Sequence, residues 1–209
     1  GIDYKAHPAE MGVSMDALAT PYKVLKRGRV KAGETVAVFG AGGGVGIHQL
    51  MMARWANTRV IAVDVAEEKQ QACLDAGADE FINPEKVNTI EAILDLTDGE
   101  GADVAIDYVS ATATLEAAAG ALRRHGRMIT LGGAGAKFQV DSMEMLRKEQ
   151  DLLGSRYTTR ADIIATYELI AKREVWPIVT DIRPMEEADA IHDRVEKGEV
   201  IGRAAITMN

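Results

Sequence analysis

The chain has 209 residues, with 24 Lys and Arg against 32 Asp and Glu, for a formal charge of −8. That length suits one large domain or one and a half ordinary ones, and the single cysteine excludes a disulfide framework or a cysteine-rich zinc module. The acidic balance argues against a nucleic acid or an anionic membrane as partner. No apolar run approaches the roughly 18 residues of a membrane span, and no signal-like apolar core follows Gly1, so a soluble, cytoplasmic protein is expected.

The first thirty residues read as a helical lead-in. Thr35–Phe39 then reads as a buried strand, short and rich in β-branched residues and closed by glycine. The run Gly40-Ala-Gly-Gly-Gly-Val-Gly46 leads into a helix over Ile47–Ala56, followed by a second strand, Arg59–Val63. A helix over Glu67–Ala76 ends at Gly77, a fitting C-terminal cap, and a short strand follows at Glu80–Ile82. The pattern continues with a helix at Val87–Leu96, a strand at Ala102–Ile106, an alanine-rich helix at Thr112–Arg124 and a strand at Arg127–Leu131. Leu152 and Leu153 begin a sixth strand-like piece. Such alternation predicts an α/β fold, a parallel sheet with helices on both faces; right-handed crossovers favour the doubly wound six-stranded (Rossmann) arrangement. Beyond residue 159 the expectation is a C-terminal extension of helices, Ala161–Lys172 and Met185–Lys197, and a final strand over Val200–Thr207.

The glycine run follows a strand and opens a helix, the context in which glycines serve a pyrophosphate. They permit a tight turn and close approach of main-chain N–H groups, and the helix N-terminus adds about half a positive charge. A strict GxGxxG fails, because the sixth position from Gly40 is Val45; Gly40, Gly43 and Gly46 fit a GxxGxxG variant. Asp64 closes the second strand, where a carboxylate accepts hydrogen bonds from ribose hydroxyls or caps the next helix. It would repel a 2′-phosphate and no Arg follows it closely, which favours NAD over NADP. His48 reads as a phosphate neighbour or, preferably, a helix-surface residue; His125 as a helix-end imidazole; His192 as structural; Cys73 as core. Met51, Met52 and Trp55 read as core or interface, and Trp176 as a residue that could border a cleft.

The chain resembles the cofactor-binding and C-terminal portion of medium-chain alcohol dehydrogenases. The resemblance is carried by Asp16-Ala-Leu-Ala-Thr20-Pro-Tyr-Lys, Val30-Lys-Ala-Gly33-Glu-Thr-Val, the glycine run, Val60-Ile-Ala-Val-Asp64, Leu74-Asp-Ala-Gly-Ala-Asp79, Gly99-Glu-Gly-Ala-Asp103, Gly126-Arg-Met-Ile-Thr-Leu-Gly132 and Gly202-Arg203. It implies the end of a catalytic lobe over 1–16, an NAD-binding domain over 17–158 and a segment returning to that lobe over 159–209. It also implies that Gly40, Gly43, Gly44, Val45 and Gly46 carry the pyrophosphate, and that Asp64 and Lys69 hold the adenosine ribose. Val109 and Ser110 would lie along the nicotinamide half. Leu131, Gly132 and Gly133 would meet its carboxamide, and Arg203 would reach back to the pyrophosphate.

Thr20 would pack against the nicotinamide as the one catalytic position within reach. Asp16 falls where zinc-dependent members place a third metal ligand, usually cysteine and sometimes aspartate, and carboxylate oxygen suits zinc. Pro21 cannot donate to Ala17, so a helix restart is expected, with Thr20 as N-cap and Pro21 at its first position. The lobe that would supply the other zinc ligands and much of the pocket lies outside this sequence. The expected activity is therefore that of a longer protein, an NAD- and zinc-dependent alcohol dehydrogenase acting on an alcohol, aldehyde or ketone, with this chain alone inactive. A homodimer or homotetramer built through the sixth strand, around Leu152 to Ser155, is expected. The alternatives are a zinc-independent quinone or enone reductase, or a noncatalytic dinucleotide-binding module.

Overall fold

The computed structural model describes residues 2–133 and 135–208; Gly1 and Asn209, the ends of the first and last expected segments, lie outside it, as does Ala134. Six parallel strands, β1 (Thr35–Phe39), β2 (Arg59–Val63), β3 (Glu80–Ile82), β4 (Ala102–Asp107), β5 (Leu122–Thr130) and β6 (Asp151–Gly154), form one sheet in the order β3-β2-β1-β4-β5-β6. This is the doubly wound Rossmann order, which reverses direction between β1 and β4.

Both faces of the sheet are dry, because successive side chains point to opposite sides and both sets are apolar. Val36, Val38, Val60, Ala62, Val104, Ile106 and Ile129 pack on one face against Val24 of α2 (Ala19–Arg27), Leu50 of α3 (Gly46–Trp55) and Cys73 of α4 (Gln70–Asp75). Ala37, Phe39, Ile61, Val63, Ala105 and Met128 pack on the other, against Ile93 of α5 (Thr89–Leu96) and Leu115 and Ala118 of α6 (Thr112–Gly120). Asn88 starts α5 two residues later than expected, its side chain accepting the N–H groups of Ile90 and Glu91. A third cluster joins Leu18, Leu25 and Met52 to Leu169, Ile170 and Val175 beside α8 (Arg160–Ala171). Trp176 packs in this cluster, edge-on to His7 and under Arg173.

Several expected elements are corrected. The lead-in is two helices, α1 (Pro8–Ala17) and α2, broken at Leu18; α2 starts at Ala19 with Leu18 as N-cap, so Thr20 and Pro21 lie inside its first turn. Proline is tolerated there because the first N–H groups of a helix have no partner in any case. The alanine-rich helix ends at Gly120, not Arg124. Leu122 instead pairs with Ala102 as the start of β5, and Arg123 is held by Asp103 at 3.0 Å. His125 therefore lies in a strand, in the left-handed conformation where the ladder shifts register, and meets Glu149 at 3.2 Å. The Glu67–Ala76 helix is a 3-10 turn, Glu67–Lys69, running into α4. Two elements were not anticipated: α7 (Ser142–Lys148), capped by Asp141, and β7 (Val179–Pro184). β7 pairs in parallel with β8 (Arg203–Thr207) as a separate two-stranded sheet, linked through a 3-10 turn and α9 (Ala188–Glu196).

One buried ion pair fastens the lead-in to the sheet. Arg127 donates to the Gly28 carbonyl at 2.9 Å and to Glu34 at 2.7 Å, with both side chains largely buried. Removing one partner leaves the other charge in a dry site. Arg127→Ala is expected to lower the unfolding free energy by about 2–4 kcal/mol, read from the urea midpoint at unchanged slope. A loss below about 1 kcal/mol would show the pair to be incidental.

Candidate functional site

The parallel register aligns the strand ends in one row. Phe39 stands opposite Val63 and Asp107, Asp107 opposite Thr130, and Thr130 opposite Gly154. The residues just past that row are Gly40, Asp64, Tyr108, Leu131 and Ser155. Ligands of open parallel sheets bind at this edge, where the strand order reverses.

The turn from β1 into α3 is built on contacts only glycine allows. A Cβ on Gly46 would lie 2.0 Å from the Gly40 carbonyl oxygen, and Gly40 itself has φ +74°. Among the described residues the N–H groups of Gly44, Val45 and Gly46 donate to no acceptor, because they precede the first i→i−4 bond, from Ile47 to Gly43. Orphaned donors at a helix N-terminus suit an anion. Asp64 braces the turn: its Oδ2 accepts the Gly42 N–H at 2.7 Å and its Oδ1 the Ala66 N–H at 3.0 Å. Lys69 is buried and lays its stem against Gly42.

A cleft of about 520 Å³ runs over this turn. Gly40, Gly43, Gly44, Val45 and Gly46 floor it, with Asp64 and Lys69 at one end and Val109, Leu131, Gly132 and Gly133 at the other; Arg203 reaches in from β8. Ser110 is not on its wall. It is buried in the left-handed conformation, its hydroxyl 2.8 Å from that of Thr130. Gly132 lies against the Val109–Ser110 peptide, where a Cβ would come within 2.3 Å. A contiguous cavity of about 500 Å³ includes Asp16, Thr20, Val45 and Tyr108. On the Asp64 side an apolar groove of about 520 Å³ contains Phe39, Val65, Pro84 and Ile90.

Asp16 and Thr20 are neighbours one helical step apart across the Leu18 break, the Thr20 hydroxyl donating to Asp16 Oδ1 at 3.4 Å. The other carboxylate oxygen of Asp16 takes the guanidinium of Arg203. No group of three or more His, Cys, Asp or Glu side chains stands ready for a metal ion among the described residues. Asp16 is a chemically acceptable zinc ligand but cannot by itself make a zinc site.

His48 departs from the surface position expected of it. It is fully buried, its Nδ1 2.7 Å from the Gly44 carbonyl oxygen, while its Nε2 accepts the Ile178 N–H at 2.9 Å. An N–H can only donate, so the proton sits on Nδ1. Burial pushes its pKa down to about 4, with Arg203 acting in the same direction.

Two other residues of the site were missed. Asp107, fully buried at the end of β4, accepts from the N–H groups of Val109 and Ser110 and from the Thr114 hydroxyl, shaping the turn into α6. Tyr108 donates to Gln49 Oε1 at 2.8 Å, and burial raises its pKa well above the phenol range, so the phenol stays neutral. The one available signal for these residues was their position at the end of an apolar strand.

A sequence profile described as zinc-binding dehydrogenase matches residues 44–172. The chain is 31% identical over 201 residues to an alcohol dehydrogenase of Geobacillus stearothermophilus, covering 96% of this chain and 58% of that protein. It is 29% identical to an NAD-dependent alcohol dehydrogenase of Sulfurisphaera tokodaii over 90% of this chain and 54% of the relative. The crystal structure of the alcohol dehydrogenase from Aeropyrum pernix superposes with a TM-score of 0.85 at 31% identity, covering 93% of this chain and 56% of that one. The chain thus spans little more than half the length of these relatives.

Two outcomes test this geometry. Gly46→Ala should destroy the turn, whereas Gly133→Ala, whose Cβ meets nothing within 4 Å, should leave stability within about 0.5 kcal/mol; thermal melts of the two distinguish them. His48 also makes stability depend on pH. Its folded pKa lies below the unfolded value near 6.5, so the unfolded state takes up the proton first, and stability is whole above about pH 6.5 and declines toward pH 4. Between pH 7 and pH 5 the decline should be about 2 kcal/mol larger than in His48→Gln, measured by urea unfolding.

Proposed function

The chain belongs to the zinc-binding dehydrogenase family, and on that footing we propose that its cleft holds NAD and that the protein of which these residues form the cofactor-binding part is an NAD-dependent alcohol dehydrogenase. The observation that supports this reading is the level row of strand ends. It gathers the orphaned N–H groups of Gly44–Gly46, the Asp64 carboxylate and Lys69 round one cleft of about 520 Å³, which Arg203 enters from β8. A diphosphate suits the N–H groups and the guanidinium, and ribose hydroxyls suit a carboxylate with lone pairs to spare. The apolar groove past Val65 and Pro84 offers a flat base a dry surface.

In this reading the nicotinamide end extends past Leu131, Gly132 and Gly133 into the cavity beside Thr20 and Val45. Bound there, the cofactor supplies a hydride acceptor, so that an alcohol carbon is oxidised to a carbonyl. The chain's own residues bind and orient: Thr20 and Val45 limit the ring's position, and Tyr108, neutral and tied to Gln49, closes the back. Asp16 is the candidate metal ligand that the family resemblance marks in this site. A zinc site needs further donors, and the described residues hold no group of three that could supply them.

Titration of the chain with NADH, followed by quenching or energy transfer, should reveal weak to moderate binding. Asp64→Asn keeps an acceptor for the Gly42 N–H but removes the charge. It should weaken NADH about tenfold and NADPH less, since repulsion of the 2′-phosphate is relieved. Equal losses for both nucleotides would remove Asp64 from the ribose. The chain alone should oxidise no alcohol, and measurable turnover by the purified 209 residues would contradict the fragment reading.

A further inference from the structure

Resting on the dinucleotide reading above, we propose that His48 is a positioning residue for the cofactor: its imidazole ties the glycine turn to the segment that carries Arg203, holding the two halves of the diphosphate cradle in register. The link is a continuous run of hydrogen bonds. His48 Nδ1–H donates to the Gly44 carbonyl (2.7 Å), the Ile178 N–H donates to His48 Nε2 (2.9 Å), and the Ile178 carbonyl accepts the Arg203 N–H (2.9 Å).

Ile178 is thus held on both sides, by the imidazole and by the first residue of β8. Packing agrees with the bonding. A Cβ on Gly44 would come within 2.8 Å of the Gly202 carbonyl and 3.0 Å of the Arg203 side chain, so the C-terminal segment rests directly on the turn. The orphaned N–H groups and the guanidinium belong to distant parts of the sequence, and the two-stranded sheet that carries Arg203 is separate from the main one. The ring is rigid and fully buried and uses a donor on one edge and an acceptor on the other. The charged groups that bear on it are Arg203 from β8 and Asp16 from α1, which are paired with each other. Asp16 aims the guanidinium, while His48 places the main chain behind it. With its pKa near 4 the imidazole is neutral at physiological pH and the link is intact.

A double-mutant cycle read by NADH titration of the 209-residue chain tests the proposal, with circular dichroism as the check on folding. His48→Leu fills the space and cuts both bonds; Arg203→Ala removes the guanidinium. Each should weaken NADH about tenfold, and the double variant should be no more than about twofold weaker than Arg203→Ala alone, because His48 acts through Arg203. His48→Gln, which can restore one of the two bonds, should recover part of the loss, and it carries the same cycle should His48→Leu not fold. If the parent chain binds NADH and His48→Leu binds it equally well, or if the two losses multiply, the proposal is overturned while the cofactor reading stands. A parent chain that binds no NADH overturns both.

Discussion

The site rests on a contact between two glycines. Gly46, the first residue of α3, sits so close to the Gly40 carbonyl that a side-chain carbon would overlap it at 2.0 Å. Only that approach lets β1 turn straight into a helix whose first N–H groups face outward across the sheet edge. A residue with a Cβ at this point would push the helix away from the strand. The helix would then lose both its packing on Val36 and Val38 and its aim.

Polar side chains at the end of the cleft and buried beneath it hold the turns that form it. Asp64 takes the N–H of Gly42, Asp107 those of Val109 and Ser110, and His48 the carbonyl of Gly44. Each satisfies main-chain groups that a tight turn leaves without partners, so the polar burial is compensated locally. The result is a cleft whose walls are main chain held by side chains from beneath, an arrangement suited to a ligand recognised through its phosphates and hydroxyls.

The C-terminal segment completes this cleft from outside the main sheet. Among the described residues β7 and β8 pair only with each other, and a two-stranded sheet has little stability of its own. It is seated by Ile178 on His48, by Gly202 on Gly44 and by Arg203 on Asp16. Asp16 thereby connects α1 to β8. The guanidinium that reaches the cleft is therefore held by a carboxylate from the other end of the chain.

The sheet was legible from sequence because its signals are local: β-branched runs closed by glycine, and helical stretches between them. The glycine turn and Asp64 were legible for the same reason, each being marked by its place at a strand end. The boundary between α6 and β5 was not, since alanines to Arg124 favour a helix and only pairing with Ala102 draws Leu122 into the sheet. His48 looked like a helix-surface residue because sequence does not say which face of α3 the C-terminal segment covers. Tyr108 and Asp107 carried no motif, and the pairing of Asp16 with Arg203 spans nearly the whole chain. Local periodicity and turn chemistry are written residue by residue, and they determined the strands, the helices and the glycine turn. Which buried polar groups meet depends on how distant segments pack, and only the tertiary structure decided that.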